Sequence, residues 1–340
     1  MQRSQICDIE VLGLGGNAID YLVPVRRFPK AGEKFVMRNF RKEGGGVTTN
    51  CLTQLARLGV KVGWIGKIGN DKVGHVIQDL CRRENIKLCN ILVEDGKSST
   101  FCWIFINPQG EMVSYMFPNV TFEITPEEIR QNYAQFIKKS KMLFTEACQL
   151  PLAPIIEGMR IAREEGILTI FDLDTIPTSK TVGIGTKEEL FGALRLSDVL
   201  VSPIEVAKVV SKEDEAEHII QFFLNLGIGM VAMSLESQGC ALANNQEMVK
   251  SPTFRVKVVD TIGAGDAFHG GLIYGLLHKW ELSDIARFAN ACGAICCTGR
   301  GARHMADLEG VIKFLKLQKE EQLIYRIMNE KGQDNLCPVK

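Results

Sequence analysis

Val259-Asp260-Thr261-Ile262-Gly263-Ala264-Gly265-Asp266-Ala267-Phe268-His269-Gly270-Gly271 is the stretch of this 340-residue chain whose residue types and spacing point most directly to chemistry. Small residues at 263 to 265, followed by an apolar pattern through Leu277, predict a tight turn feeding a helix N-terminus. Backbone N–H groups converge there, and the helix dipole favours an anion. Such a turn holds phosphate. An aspartate in it binds phosphate poorly, because the two negative charges repel, but it is well placed to take a proton from a hydroxyl attacking that phosphate. Taken alone, Asp266 is also compatible with a plain helix cap after a glycine-rich turn.

Two earlier segments suit a polyhydroxyl ligand. Asp20 ends Gly16-Asn17-Ala18-Ile19-Asp20, and Gly44-Gly45-Gly46 precedes Asn50 at the start of a helix. A carboxylate and an amide on facing loops match a polyol, because each hydroxyl offers both a donor and an acceptor. Gly13-Leu14-Gly15-Gly16-Asn17-Ala18 also has the G-x-G-x-x-A spacing of a dinucleotide site. That site needs a helix directly after its glycines, whereas here Pro24 and Pro29 follow, so a dehydrogenase is excluded. No G-x-x-x-x-G-K-[ST] loop occurs. Asp172 and Asp174 end a predicted strand and read equally well as functional or as solvated loop residues. His75, His218, His269, His278 and His304 form no cluster and read as structural or exposed.

The elements that would position these residues alternate. Beyond Thr125-Pro126-Glu127-Glu128, a good helix start, short apolar strands near Met142–Thr145, Leu168–Asp172, Val199–Val201 and Met230–Ser234 alternate with amphipathic helices. This predicts a three-layer α/β/α fold with a mostly parallel central sheet and ligands beyond the carboxyl ends of its strands. In the first third, strands are expected from Ile9, over Phe35–Phe40, Val60–Ile65, Lys87–Val93, Thr100–Ile106 and Glu111–Phe117, with helices through Leu58 and over Val73–Arg83. The segments around 21–42 and 98–118 do not fit the alternation, and are expected to form a small β-sheet lid over the site. The main domain is expected to span 1–320 with a C-terminal tail over 321–340, the charged end from Lys316 onward reading as a helix followed by a mobile tail.

Composition narrows the partners. Forty Lys and Arg balance forty Asp and Glu, so no global field draws the chain to nucleic acid or an anionic membrane. Asp8 and Glu10 interrupt the short apolar start, which argues against a signal peptide, and no apolar run reaches the ~20 residues of a membrane helix. Eleven irregularly spaced cysteines argue for a reducing, cytoplasmic setting rather than a disulfide framework. Cys292 and Cys296 share a helical face, but no partner pair completes a tetrahedral metal set.

Asp260 to Asp266 resembles the D-T-x-G-A-G-D signature of the ribokinase-like carbohydrate kinase superfamily, which includes ribokinases, fructokinases, minor phosphofructokinases and adenosine kinases. The resemblance extends to Asp20 and to Gly44–Asn50, and so covers nearly the whole chain. It implies an ATP- and Mg²⁺-dependent sugar kinase with Asp266 as base and Gly263, Ala264 and Gly265 as anion hole. It further implies that Asp20, Gly45, Gly46, Asn50 and Glu146 bind the sugar, and that Ser202, Ser234, Glu236, Gly239, Gly263, Gly265 and Asn290 meet the nucleotide. Glu205 would organise Mg²⁺ through water, and Asp260, Ile262 and Gly301 would form a monovalent cation site suited to K⁺. Two departures stand out: Ser202-Pro203-Ile204-Glu205 lacks the Asn of the family's N-x-x-E, and Glu236 stands in the nucleotide loop where Gly is common. Relatives often dimerise through the lid, which implies a homodimer here. Alternatives of other kinds are a nucleoside kinase, a phosphosugar kinase using Arg26, Arg27, Lys30, Arg41 or Lys97, and a non-catalytic sugar or nucleotide sensor.

Overall fold

The computed structural model describes residues 8–334. Short runs of consecutive apolar residues form strands that are buried on both faces, as expected where helices cover both sides of a parallel sheet. The nine strands lie in the order Met248–Ser251, Cys240–Asn244, Met230–Ser234, Val199–Pro203, Leu168–Asp172, Met142–Glu146, Val11–Leu14, Val62–Ile65 and Lys87–Leu88. Met230–Ser234 through Lys87–Leu88 are parallel, and the hairpin Cys240–Asn244/Met248–Ser251 continues the edge antiparallel. The chain builds outward from Val11–Leu14 first toward Val62–Ile65 and then, in the opposite direction, through Met142–Glu146. That reversal opens a crevice beyond the strand ends, where α/β sheets bind ligands.

Side chains alternate along each strand between two cores. Phe144 joins the core under the helices Val47–Arg57, Ala264–Leu277 and Leu282–Cys296, while Leu143 joins the one under Leu152–Glu164. Within the first core, Gly270 and Gly271 let the Ala264–Leu277 helix run close to its neighbours. A Cβ on Gly271 would stand 2.8 Å from the Ala289 Cα, and one on Gly270 would stand 2.6 Å from the Gln54 side chain.

The lid is a separate four-stranded sheet in the order Arg41–Gly45, Ala18–Pro24, Phe101–Ile106, Met112–Phe117. Its alternation separates an inner face, with Leu22, Cys102 and Ile104, from an outer aromatic face. On the outer face Tyr21 stacks on Trp103 at 4.7 Å and Phe101 on Phe117 at 4.6 Å.

Several expectations are corrected. Phe35–Phe40 is not a strand: the stretch is irregular and exposed, Val36 to 92%. Arg41–Gly45 takes the place beside Ala18–Pro24, because only glycines fit against Asp20, whose carboxylate a Cβ on Gly45 would strike. The expected strand Lys87–Val93 divides at Asn90, whose φ is 55°, into Lys87–Leu88 in the main sheet and Leu92–Glu94, which pairs with Lys67–Gly69 in a separate ribbon. The charged end from Lys316 onward, expected as a helix and then a tail, holds the helix Glu321–Asp334, with Leu323 and Ile327 buried in the first core, because an apolar stripe at i and i+4 has a place to pack. Its last residues, 335–340, lie outside the described residues. No helix among the described residues is long and apolar enough to cross a membrane.

Candidate functional site

Asp266 sits in the first turn of the helix Ala264–Leu277. Gly263 caps that helix with φ 80°, and a Cβ there would strike the backbone of Ala302, so the turn needs glycine both for its conformation and for its close approach. Asp260 fastens the same turn to the following loop: one carboxylate oxygen accepts the Ile262 N–H at 3.1 Å, the other the Gly301 N–H at 2.9 Å.

A line of hydrogen bonds runs through the base of the site. The Asn50 amide Nδ2 donates to Asp266 Oδ2 at 2.8 Å, and Arg303 Nε donates to Asn50 Oδ1 at 2.9 Å. Arg303 Nη2 also donates to Thr49 Oγ1 at 3.3 Å. Arg57, held bidentate by Glu84, donates to the carbonyls of Arg303 and Met305 at 2.9 and 2.7 Å, which anchors the loop that presents Arg303. The sequence singled out Gly301 and missed Arg303 two residues on, although an arginine in a loop next to the phosphate turn was the available signal.

Electrostatics follow from this burial. Asp266 is pushed up to about 8, chiefly by burial and also by Asp174 and Asp20, with the Asn50 hydrogen bond and Arg303 opposing. Asp20 is pushed up to about 6 by burial and by Glu43, against Arg303. Arg303 itself is lowered by burial.

The turn divides two cavities. On one side, about 650 Å³ is lined by Ser234, Glu236, Gly239, Asn290, Ala264 and Gly265. On the other, about 700 Å³ is lined by Asp20, Gly46, Asn50, Asp174, Asp266 and Ile104 of the lid, among others. Ser234, Glu236, Gly239, Gly265 and Asn290 thus lie on one side of the turn and Asp20, Gly46 and Asn50 on the other, while Gly45 and Gly263 line neither cavity. Arg255, which the sequence did not single out, brings a cation to the first cavity.

Four other predicted residues line neither cavity. Glu146 is fully buried and does not line the cavity; it accepts the N–H groups of Gly16, Cys148 and Gln149, pinning two loops, and burial raises it to about 7 despite those bonds. Ser202 is buried, with its hydroxyl donating to the Leu173 carbonyl at 3.0 Å, and lies outside the first cavity. Glu205 has a side chain 69% exposed near Lys208, and no group of three His, Cys, Asp or Glu suited to a metal lies among the described residues. Asp260, besides its two amides, has Arg41 at 3.9 Å, which makes it a loop clamp. Arg26, Arg27, Lys30, Arg41 and Lys97 do not line the sugar-side cavity. Asp172, left open with Asp174, is separated from it: it is fully buried 3.4 Å from His269 Nδ1, with neither oxygen hydrogen-bonded within the described residues. Burial drives Asp172 well up and His269 down to about 4, each toward its uncharged form.

Residues 10–308 match the model of the pfkB family of carbohydrate kinases. Among curated proteins, 5-dehydro-2-deoxygluconokinase of Clostridium perfringens is 26% identical, covering 84% of this chain and 87% of that protein. Probable fructokinase-3 of Arabidopsis thaliana is 25% identical over 83% of this chain and 86% of its own length. Among solved structures, the Arabidopsis thaliana ribokinase complexed with ribose and ATP superposes with a TM-score of 0.81 at 20% identity, covering 91% of this chain and 99% of the other. The Thermotoga maritima ribokinase gives 0.79 at 23% identity, with 91% and 99% covered.

Removing the guanidinium tests the electrostatic frame. Arg303→Met should move the titrations of Asp20 and Asp266 upward from about 6 and about 8, because Arg303 lowers both. Carboxyl carbon NMR titration reads this, and unchanged values would show that Arg303 does not carry the compensation.

Proposed function

The chain belongs to the pfkB family of carbohydrate kinases, and we propose that it transfers the γ-phosphate of ATP to a primary hydroxyl of a small sugar, with Asp266 as the base. The observation that carries this proposal is the position of Asp266 on the turn between the two cavities, hydrogen-bonded to Asn50. ATP fits the cavity beside Ala264 and Gly265, whose amides would take the transferring phosphate, and Arg255 adds a positive charge there. Mg²⁺, arriving with the nucleotide, supplies charge neutralisation on the phosphates. Glu205 is the acidic residue available to order its waters.

On the acceptor side, Asp20 and Asn50 would align the sugar beneath the lid, and Asp266 would accept the hydroxyl proton as the phosphoryl group transfers in line. The fructokinases among the relatives support a hexose-sized acceptor. The phosphosugar alternative lacks support, since the cations it would use do not line the cavity. A K⁺ ion near Asp260, Ile262 and Gly301 would have to compete with Arg41 for the carboxylate. All nine described cysteines are free, which supports a reducing, cytoplasmic setting.

Outer-face aromatics of the lid favour a homodimer. Tyr115 and Phe117 are exposed, and a half-covered sheet of stacked rings is suited to pairing with its own copy.

Three measurements check these proposals. Sugars and nucleosides offered with ATP, followed by ADP release, should identify a sugar acceptor; preference for a nucleoside would overturn that assignment. Asp266→Asn should lower turnover by about 10²–10⁴-fold with nucleotide affinity little changed. In the wild type, kcat/KM should rise with pH up to about 8 as Asp266 loses its proton; a flat profile and near-normal turnover of the variant would remove Asp266 as base. Light scattering at micromolar concentration should give twice the 37.8 kDa chain mass, and an active monomer would rule out the lid dimer.

A further inference from the structure

Phosphoryl transfer as proposed above gives tasks to Asp20, which aligns the acceptor, and to Asp266, which takes its proton. A third carboxylate in the same cavity has neither task. Asp174, two residues beyond the strand Leu168–Asp172, lines it next to Cys148 and Gln149. No Lys or Arg among the described residues lines this cavity.

What Asp174 and its neighbours can bond is one-sided. Gln149 is only 5% exposed, packs against Gly16, and its carbonyl oxygen Oε1 is buried without a hydrogen-bond partner within the described residues. Asp20, 8% exposed, lies on the same cavity. The Asn50 amide already donates to Asp266, and its carbonyl is taken by Arg303. In their ionised form the carboxylates of Asp20 and Asp174 only accept hydrogen bonds, so they are completed by a ligand that brings donors. An anion placed among them would meet like charge, with the nearest cation, Arg303, behind Asn50 and already offsetting Asp20 and Asp266.

We propose that Asp174 selects the acceptor by charge: it takes up hydroxyl or ammonium donors of a neutral or amino sugar, and it rejects sugar acids and sugar phosphates. This rests on the kinase function proposed above. It divides the relatives, since a fructokinase and a gluconokinase are named for acceptors of different charge. Asp172 cannot serve in place of Asp174, because it points into the protein against His269 and does not line the cavity.

The test compares kcat/KM for D-fructose and D-ribose with that for the acid made from each by oxidising to a carboxylate the terminal carbon that does not bear the phosphorylated hydroxyl. The wild type should prefer the neutral sugar by about 100-fold or more, and Asp174→Asn should reduce that preference by about tenfold, mainly through KM of the acid. Asp174→Glu, which keeps the charge, should retain the preference, and it serves if the Asn variant does not fold. An acid used as well as its neutral parent by the wild type would overturn the proposal, as would an unchanged preference in a folded Asp174→Asn. If no neutral sugar is phosphorylated at all, it is the kinase function that fails, and the two failures are told apart by whether ADP is released with any sugar.

Discussion

The hydrogen bond from Asn50 to Asp266 is the contact on which the site depends. It joins residues 216 apart in sequence, the first on the helix Val47–Arg57 and the second on Ala264–Leu277. A carboxylate withdrawn from water is costly unless it is paired, and here it is held by an amide that is itself oriented by Arg303. Arg303 in turn depends on Arg57 for the course of its loop. The two helices must therefore pack closely, and the glycines at 270 and 271 permit it. Catalytic geometry and core packing are met by the same pair of elements.

The lid follows from the same requirement for close approach. Gly45 lies directly on Asp20, and this contact sets the register in which Asp20 pairs with Glu43. The strand that carries Asp20 is thereby tied to the segment leading into Asn50, so these two cavity residues come from one continuous stretch of chain. The inner lid face closes the cavity with Cys102 and Ile104, leaving the aromatic residues to the outside.

Beneath the site the protein tolerates several buried acids, and this has a consequence for pH. Glu146, raised from 4.5 to about 7, and Asp266, raised from 3.8 to about 8, hold protons in the folded state that the unfolded chain releases. Their contribution to stability is therefore present at low pH and is lost as pH rises through about 7 to 8. His269 works in the other direction: lowered from 6.5 to about 4, it is neutral when folded, and stability is lost as pH falls between those values.

The alternation of the main sheet, the glycine turn that opens the helix Ala264–Leu277 and the glycines beside Asp20 were legible in the sequence, because each rests on local chemistry: apolar runs of strand length, small residues where backbone must approach, a helix start. The sequence also brought out Asp20, Asn50 and Asp266, which are found on one cavity. Only the tertiary structure decided the rest. Glu146 and Ser202 have the residue types of a binding site but are turned onto backbone groups. Asp172 and Asp174 look alike in sequence and, two apart, would share a face if the strand continued; the strand ends at Asp172, which faces the core, and the chain leaving the sheet carries Asp174 to the cavity. Arg303 could not be weighed from its own neighbours, since its partners lie about 250 positions away and a side chain's role is fixed by what folding brings to it.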